Sequence, residues 1–357
     1  MSYIYPPRGF FRPLASPYTY TDHSGADIAD FLRQGGFPCR CIRNASGSAV
    51  DRYDLQVLDP YKLQCLARLL PALETWTGQP VRRAQDAQPG IVALEIGRRH
   101  RVPVYLGDCV ASPSWESSAR GVAVVGKSVQ GQTVAVNVDK APHILLAGQT
   151  GSGKSVCLNT LICSLLLKNS PYDAEFVFID PKQVEFARFA RLPQATMVSS
   201  TAAALDALQA LCGRMDARYT EMQARELKDS PYKPVYIVVD ELADLMLSAG
   251  KIRAAIETCI IRIAQKGRAA GLHLILATQS PRASVITGLI SANIPVKIAL
   301  TVSNVRESCI ILGHGSAEKL QGKGDAIAKT PLSGETRLQV AYLQDSDIDR
   351  LVRFWSQ

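Results

Sequence analysis

The chain has 357 residues, 47% of them hydrophobic and 20% charged, which is typical of a soluble globular protein with roughly two domains. Its formal net charge of +8 permits a polyanionic partner without requiring one, and nine scattered cysteines indicate reduced thiols rather than a disulfide framework or a zinc site. No apolar run reaches the roughly 18 residues of a membrane-spanning helix, and the first residues lack the apolar core of a signal peptide, so we expect a cytoplasmic protein without a membrane segment.

The first 25 residues are rich in proline and tyrosine and show little apolar periodicity. This composition predicts an extended N-terminal tail over residues 1–25. Arg8 and Arg12 lie between aromatic residues of the tail and could contact nucleic acid or a neighbouring subunit. A weakly ordered tail without such a role is the simpler interpretation.

Residues 26–118 predict a small mixed α/β domain. The helical patterns cover residues 27–33 and 63–73, and the strand patterns cover residues 52–57, 91–96 and 102–106. A basic run at residues 97–101 falls between the last two strands. It is expected to form a solvated hairpin tip, with a nucleic-acid or subunit contact as the alternative.

Residues 119–357 predict a larger α/β domain. Two strands within residues 121–138 come first, followed by strands at residues 143–147, 175–180, 235–241, 272–279 and 295–301 and by helices at residues 156–162 and 201–228. Because β-branched runs alternate with helices, we expect a parallel sheet covered by helices on both faces. Ser200 is the expected N-cap of the long second helix.

A nucleotide-binding motif lies between the strand at residues 143–147 and the helix after it. The motif G-x-x-x-x-G-K-[ST] and the first residue behind it are Gly148, Gln149, Thr150, Gly151, Ser152, Gly153, Lys154, Ser155 and Val156. The glycines let backbone N–H groups face phosphate oxygens at the helix N-terminus. Lys154 can then reach the β- and γ-phosphates, and the Ser155 hydroxyl can ligate Mg²⁺. The sequence therefore predicts binding of ATP or GTP.

Polar residues at the ends of two later strands indicate hydrolysis of the bound nucleotide. In an open α/β sheet, ligands bind beyond the carboxyl ends of the strands. Asp240 ends an apolar strand, where a phosphate-loop enzyme has the carboxylate that holds Mg²⁺, and Glu241 could accept a proton from the attacking water. Gln279 ends another strand and could orient water or sense the γ-phosphate, with a capping role as the alternative.

Several stretches together resemble one protein family. They are the phosphate loop and residues 179–182, 239–244, 263–271, 277–279 and 285–295. In them, and over most of residues 50–345, the chain resembles the FtsK/SpoIIIE DNA translocases. The resemblance implies a RecA-like ATPase motor domain after a small α-domain, and a homohexameric ring around double-stranded DNA with ATP hydrolysed between subunits. Arg268 matches what looks like the family's arginine finger, donated to a neighbour's γ-phosphate, with an ordinary surface arginine as the alternative.

The chain departs from this family in its length and in its DNA-facing residues. It ends at Gln357, so we expect the family's winged-helix domain, membrane spans and long linker to be missing, which would suit a mobile element or phage. Neutral residues stand where the family has DNA-facing basic ones: Ser280, Val305 and Cys309. Three nearby basic residues are the expected replacements: Arg282, Lys297 and Arg306.

The leading hypothesis is an ATP-dependent double-stranded DNA translocase. One alternative keeps the motor and changes the cargo to single-stranded DNA or a protein, as in conjugation or secretion. A second alternative is a non-translocating ATP-binding scaffold. Intact Lys154, Asp240 and Glu241 argue against the scaffold, whereas the neutral residues at the DNA-facing positions keep the other cargoes open.

Overall fold

The structure is a computed structural model that describes residues 5–7, 9–11, 21–84, 88–227, 230–248 and 250–357. Arg8 and Arg12 lie outside these residues, so the hypothesis that they contact nucleic acid or a neighbouring subunit stays a hypothesis. Two sheets organise the described chain, one of four strands in its N-terminal part and one of ten strands in the rest.

The four-stranded sheet lies within residues 26–118, the predicted small domain. Its elements are α1 (Gly25–Gln34), β1 (Cys39–Ser46), β2 (Val50–Val57), α2 (Leu63–Thr77), β3 (Val81–Arg83) and β4 (Ile91–Gly97). The strands are antiparallel in the order β1-β2-β4-β3, and α1 and α2 pack against them around Leu32, Tyr53 and Leu66. Both predicted helices are confirmed, and so are the strands predicted at residues 52–57 and 91–96. The sequence pattern misses β1, which is largely exposed, and β3, which has three residues.

The strand predicted at residues 102–106 is wrong. Pro103 has no N–H to give to a ladder, and Tyr105 forms only an isolated bridge with Tyr342 before α3 (Leu106–Val110) and α4 (Pro113–Glu116) begin. The basic run before it is therefore not a hairpin tip. Arg98 is buried and donates to the Gly47 carbonyl at 2.7 Å, while Arg101 donates to carbonyl groups of the large domain.

The ten-stranded sheet forms the large domain. Its strands are β5 (Val122–Ser128), β6 (Thr133–Asn137), β7 (Ile144–Ala147), β8 (Glu175–Ile179), β9 (Ala195–Val198), β10 (Val235–Val239), β11 (Leu272–Thr278), β12 (Val296–Leu300), β13 (Asp325–Thr330) and β14 (Gly334–Val340). They lie in the order β6-β5-β14-β13-β12-β7-β11-β10-β8-β9. The run from β12 to β9 is parallel, as predicted, whereas β13, β14, β5 and β6 extend it antiparallel.

Helices cover both faces of this sheet, as the continuous apolar strands predict. They are α5 (Lys154–Lys168), α6 (Thr201–Ala224), α7 (Leu242–Met246), α8 (Gly250–Lys266), α9 (Gly288–Asn293), α10 (Val305–Leu312) and α11 (Asp345–Trp355). In β7, Ile144 and Leu146 enter the core that contains residues of α5 and α11, while Leu145 and Ala147 enter the core that contains residues of α6 and α8. None of the described helices combines the length and the apolarity needed to cross a membrane.

The cap predicted for the long helix α6 is confirmed, because Ser200 Oγ accepts a hydrogen bond from the Ala203 N–H at 3.1 Å. The helix ends at Ala224, before the predicted residue 228. Two residues later, Glu226 adopts a φ of 54°, a left-handed conformation that a helix cannot continue through.

The described part of the N-terminal segment lacks regular secondary structure and packs on the large domain. The Tyr5 ring lies 5.9 Å from the Trp355 ring in an edge-to-face contact, and Phe10 contacts Phe354 in the same way at 5.7 Å. Phe11 is 2% exposed and belongs to the core of the large domain. These residues are therefore packed rather than weakly ordered.

A buried ionic network joins the two domains. Arg337 of β14 binds Asp325 of β13 at 2.6 Å and Glu95 of β4 at 3.0 Å. Arg82 of β3 binds the same Glu95 at 2.9 Å and Glu335 of β14 at 2.8 Å. Because each carboxylate has an arginine partner, the charges can be buried between the domains.

Candidate nucleotide-binding site

The glycine-rich loop connects β7 to α5 at the carboxyl end of the parallel strands. Gly151 and Gly153 have φ values of 78° and 104°, in the left-handed region that favours glycine. At Gly153 a Cβ would also lie 2.8 Å from the Gly324 nitrogen, so the close approach of the two chain segments requires glycine there. The loop is anchored on both sides, because Gly148 N–H donates to the Thr278 carbonyl at 3.2 Å and Gly324 N–H donates to the Ser152 carbonyl at 2.7 Å.

A cavity of about 530 Å³ lies against this loop. Its lining includes most of the predicted nucleotide-binding residues and several others: Gln149, Thr150, Gly151, Gly153, Lys154, Ser155, Val156, Glu185, Gln279, Lys323, Gly324, Gln339, Val340 and Tyr342. Gly148 and Ser152 lie behind this surface. Ser152 is 1% exposed, and a Cβ on Gly148 would come within 2.7 Å of the Ser152 hydroxyl, so these two residues shape the loop.

Lys154 and Asp240 form the charged centre of the site. The Lys154 ammonium donates to Asp240 Oδ1 and to the Asp240 carbonyl, each at 2.7 Å. Both side chains are less than a tenth exposed. An ammonium has three donors, so Lys154 keeps one for a phosphate oxygen while Asp240 fixes its position.

Glu241 and Gln279 are held next to each other at the ends of β10 and β11. Glu241 Oε1 accepts from the Thr278 hydroxyl at 2.5 Å and from Ala243 N–H at 3.1 Å, and Glu241 Oε2 accepts from Gln279 N–H at 2.8 Å. The Gln279 side chain in turn accepts from the Thr150 hydroxyl of the glycine-rich loop at 2.7 Å. Gln279 thus joins the candidate base to the phosphate-binding loop.

Glu185 is a site residue that sequence reasoning missed. Its Oε1 accepts a hydrogen bond from Ser155 Oγ at 2.8 Å, beside the cavity. The segment after β8 presents it there because Asp180 accepts from four backbone N–H groups: those of Lys182, Gln183, Glu185 and Phe186. The family resemblance at residues 179–182 pointed to this segment, but those residues do not include Glu185.

The opposite wall of the cavity was also missed. Lys323 and Gly324 precede β13, Gln339 and Val340 end β14, and Tyr342 follows β14. These residues reach the site because β13 and β14 fold back antiparallel beside β12. Strand-to-helix alternation does not predict that hairpin, so no sequence pattern pointed to its residues.

Lys182, in the segment after β8, forms an ion pair with Asp244 of α7. Its ammonium lies 3.0 Å from Asp244 Oδ2. This hydrogen bond, with the negative charges of Glu241 and Asp240 nearby, raises the pKa of Lys182 above its ordinary value. Lys182 therefore carries a positive charge close to the candidate catalytic carboxylates.

Arg268 lies far from the cavity of its own chain. It is exposed in a short 3-10 turn, Gly267–Ala270, directly before β11. The seven residues of β11 separate it from Gln279, a distance of roughly 23 Å at about 3.3 Å per residue. The structure thus does not bring Arg268 to the pocket formed by the same chain.

The three expected DNA contacts do not form one cluster. Arg282 and Arg306 are exposed in the segments that follow the carboxyl ends of β11 and β12. Lys297 lies at the other end of β12, where its ammonium donates to Ser291 Oγ at 2.8 Å. Burial and the nearby Lys329 lower the pKa of Lys297. The structure therefore separates Lys297 from the two arginines.

The oxygen donors at the site fit a magnesium ion. Mg²⁺ prefers hard oxygen ligands and is usually held by one or two carboxylates together with phosphates and water. The Ser155 hydroxyl and the Asp240 carboxylate would hold it, with the Glu185 carboxylate next to Ser155. Asp240 is 7% exposed, so its charge is largely shielded from solvent.

The parallel sheet, the glycine-rich loop and the paired carboxylates define a P-loop nucleotide-binding domain. The model of the FtsK/SpoIIIE family matches residues 106–233 and 222–283. The DNA translocase FtsK of Vibrio parahaemolyticus serotype O3:K6 is 37% identical over 353 residues, covering 87% of this chain and 34% of that protein. The DNA translocase FtsK of Leptospira interrogans serogroup Icterohaemorrhagiae serovar copenhageni is 35% identical over 354 residues, covering 93% and 37%. The chain belongs to the FtsK/SpoIIIE family, and it spans little more than a third of the length of these two relatives.

Solved structures share the fold. The pCW3 conjugation coupling protein TcpA, in its monomer form with ATPγS, has a TM-score of 0.63 and 24% identity, covering 92% of this chain and 98% of that one. The cytoplasmic domain of the Thermomonospora curvata type VII secretion ATPase EccC has a TM-score of 0.59 and 24% identity, covering 66% and 31%. The chain therefore shares its fold with a conjugation coupling protein and a secretion ATPase.

Proposed function

We propose that the protein is an ATP-hydrolysing motor that translocates double-stranded DNA as a homohexameric ring. One observation carries this proposal. Side-chain hydrogen bonds join the glycine-rich loop to the segments after β11 and β12, from Thr150 to Gln279 at 2.7 Å and from Ser303 to Gln149 at 3.0 Å. Gln149 N–H also donates to the Thr301 carbonyl at 2.9 Å. Each segment also carries an exposed arginine three residues further on, Arg282 and Arg306. A change at the γ-phosphate can therefore reach both candidate DNA contacts through these hydrogen bonds.

The residues of the pocket divide the work of hydrolysis. The N–H groups of the loop and the remaining Lys154 donor bind the β- and γ-phosphates, so the bound ATP is oriented and its charge stabilised. Glu241 accepts the proton of the attacking water, and Gln279 orients that water or senses the γ-phosphate. Bound Mg²⁺, held through Ser155 and Asp240, supplies positive charge at the phosphates.

Arg268 acts on the nucleotide of a neighbouring subunit. The length of β11 keeps it from its own pocket, and its exposure leaves the guanidinium available to a neighbour. An arginine supplied in trans stabilises the charge of the transition state and makes hydrolysis depend on assembly. This arrangement supports a ring, and the six-fold symmetry follows from the family resemblance.

Two observations bear on the cargo. The curated relatives are named DNA translocases, and the net charge of +8 suits a polyanion, both of which favour duplex DNA. Val305 is 53% exposed and Leu289 is 60% exposed, and apolar exposure of this kind suits a protein cargo. Protein transport is therefore the second candidate function, in line with the secretion ATPase of similar fold.

We also propose a mobile element as the setting and the cytoplasm as the compartment. Support for the setting comes from the conjugation coupling protein of similar fold, with a match that covers 92% of this chain and 98% of that one. All nine cysteines are free thiols, which fits a reducing compartment.

ATP hydrolysis measured with linear duplex, with single-stranded DNA and without DNA tests the cargo. We expect duplex to give the greatest stimulation, with a half-maximal DNA concentration that rises with salt because phosphate contacts release counterions. Equal rates with and without either DNA, at protein concentrations where the ring assembles, would contradict DNA as the cargo. If only single-stranded DNA stimulates hydrolysis, single-stranded DNA in conjugative transfer becomes the proposed cargo.

A further inference from the structure

We infer that Glu185 is a positioning residue for the magnesium site: it fixes the Ser155 hydroxyl so that the oxygen faces the ion. This inference rests on the proposed use of Mg²⁺ with ATP and is independent of the cargo. It assigns a role to a side chain outside the phosphate-binding motif and outside the acidic pair that ends β10.

The orientation of the Ser155 hydroxyl decides whether it can bind a cation. A serine hydroxyl has one proton and two lone pairs, and its rotation decides which of them a ligand meets. Here the proton goes to Glu185 Oε1, since Ser155 Oγ lies 2.8 Å from that atom. The lone pairs of Ser155 are then directed away from Glu185, and a cation beside the hydroxyl meets an acceptor oxygen.

Asp240 is less suited to take this proton. Its Oδ1 and its carbonyl oxygen both accept hydrogen bonds from Lys154 at 2.7 Å. Glu185 is therefore the carboxylate that is placed to accept the hydroxyl proton. Partners of this kind, which hold a metal ligand in place, typically change metal affinity by 10- to 100-fold when they are mutated.

The segment that carries Glu185 is built to hold it. Both oxygens of Asp180 accept backbone N–H groups, which closes residues 180–186 into a tight turn. Gln183 adopts a φ of 58°, a conformation that a residue other than glycine keeps only where its surroundings impose it. The next residue after Glu185 is the fully buried Phe186, whose ring lies 5.0 Å from that of Phe178. The backbone of Glu185 is thus fixed from both sides.

The test compares Mg²⁺ affinities in the full-length protein. A fluorescent ATPγS analogue reports binding, first in EDTA and then during a titration with MgCl₂, and no hydrolysis or DNA is involved. For Glu185→Ala, which removes the acceptor of the Ser155 proton, we expect Mg²⁺ affinity of the nucleotide complex to fall 10- to 100-fold, with nucleotide affinity in EDTA unchanged. Glu185→Gln keeps an amide oxygen that can accept the same hydrogen bond, so it should lose less. Glu221→Ala is the matched control, because Glu221 is an exposed glutamate of α6 that forms an ion pair with Arg225 at 2.9 Å, and its loss should leave both affinities unchanged.

A double-mutant cycle with Ser155→Ala separates positioning from a direct role of the charge. If Glu185 acts through the hydroxyl, Glu185→Ala should add little to the loss that Ser155→Ala already causes. Additive losses would overturn the positioning role, because Glu185 would then act on the ion without Ser155. Unchanged Mg²⁺ affinity in Glu185→Ala would overturn it as well.

Two further results separate this inference from the proposals on which it rests. Equal loss of nucleotide affinity in EDTA and in Mg²⁺ would show that Glu185 merely holds the turn, and would overturn the inference while leaving magnesium use intact. If the nucleotide affinity of the parent protein does not change with Mg²⁺, both the inference and the proposed use of the ion are overturned. Neither result bears on the proposal that the cargo is DNA.

Discussion

The charged side chains of the nucleotide pocket and the exposed arginines differ in burial and in hydrogen bonding within the chain. In the pocket, Lys154, Asp240 and Glu241 are 4%, 7% and 6% exposed, and hydrogen bonds within the chain hold each of them. Arg268, Arg282 and Arg306 are all exposed at the ends of strands or just beyond them. The pocket is positioned by the chain itself, whereas the arginines are presented outward.

This difference indicates where each group acts. A buried charge needs partners, because burial without them is costly, and those partners also fix its geometry for catalysis. An exposed arginine keeps its five N–H donors for another molecule. We therefore expect substitutions in the pocket to affect one subunit, and substitutions of the arginines to affect contacts between molecules.

The largest expected effect is that of Arg268→Ala. If Arg268 serves a neighbour's nucleotide, the variant should lose about 10³- to 10⁵-fold in ATP hydrolysis while still binding nucleotide. Mixing it with Glu241→Gln protein should restore some hydrolysis, because a mixed interface can combine an intact base with an intact arginine. The measurement is steady-state hydrolysis across mixing ratios. Normal hydrolysis by Arg268→Ala, at concentrations where the parent assembles, would remove this residue from the site.

The pocket itself provides the next prediction. Glu241→Gln should bind nucleotide normally and hydrolyse it about 10²- to 10⁴-fold more slowly, because only the proton acceptor is removed. Lys154→Ala should instead lose nucleotide binding, since both the phosphate contact and the partner of Asp240 disappear. Nucleotide affinity by calorimetry and single-turnover hydrolysis distinguish the two. Near-normal turnover of Glu241→Gln would show that another carboxylate is the base.

A smaller effect is expected on stability, from two buried histidines near the start of β7 and β11. His143 precedes β7 and His273 lies in β11, and burial lowers the pKa of His143 to about 3 and that of His273 to about 4. Between those values and the ordinary pKa of about 6.5, the unfolded chain binds more protons than the folded chain. The free energy of unfolding should therefore be unaffected above pH 6.5 and fall below it, by up to about 1.4 kcal/mol per pH unit for each histidine.

Urea unfolding between pH 7.5 and 5.0 checks this expectation. His273→Phe keeps a ring beside Tyr236, whose centroid lies 5.6 Å away, and removes one titrating group. It should reduce the pH dependence by about half, or roughly 1.4 kcal/mol per pH unit. His100→Phe, at an exposed position, is the control and should leave the slope unchanged. A slope unaltered by His273→Phe would show that acid destabilises the protein elsewhere.

The same contrast explains how much the sequence could predict. The glycine-rich loop is local in sequence, so its residues could be assigned from spacing and from the strand and helix beside them. Asp240, Glu241 and Gln279 follow long apolar strands, and parallel strands bring their carboxyl ends to one edge. Local patterns together with one rule of topology therefore predicted most of the pocket.

What could not be predicted depends on contacts between distant segments. Glu185 lies in no regular element, and it reaches Ser155 only because Asp180 folds the segment after β8. Tyr342 lines the cavity because an antiparallel hairpin returns beside β12, and no alternating pattern announces that hairpin. Pro103 lies in an apolar run that resembles a strand, yet the run forms one isolated bridge.

The smallest expected effect is on duplex DNA affinity, from loss of Arg282 and Arg306. Arg282 and Arg306 are exposed beside segments that contact the glycine-rich loop, so we expect both to bind DNA phosphates. Each phosphate contact contributes about 0.9 to the slope of log affinity against log salt. The double variant Arg282→Ala/Arg306→Ala should therefore flatten this slope by about 1.8 and lower duplex affinity roughly tenfold at low salt. ATP hydrolysis without DNA should survive.

Lys297→Met is the internal control for this measurement. Its ammonium is already bonded to Ser291 at 2.8 Å and lies at the opposite end of β12, so it should leave the salt slope unchanged. Fluorescence anisotropy with a labelled duplex at four or more salt concentrations, roughly from 50 to 200 mM, resolves the two slopes. If the double variant binds duplex like the parent at every salt concentration, these segments do not hold DNA. The exposed Leu289 and Val305 would then be the better guide to the cargo, and transport of a protein would replace transport of DNA as the leading proposal.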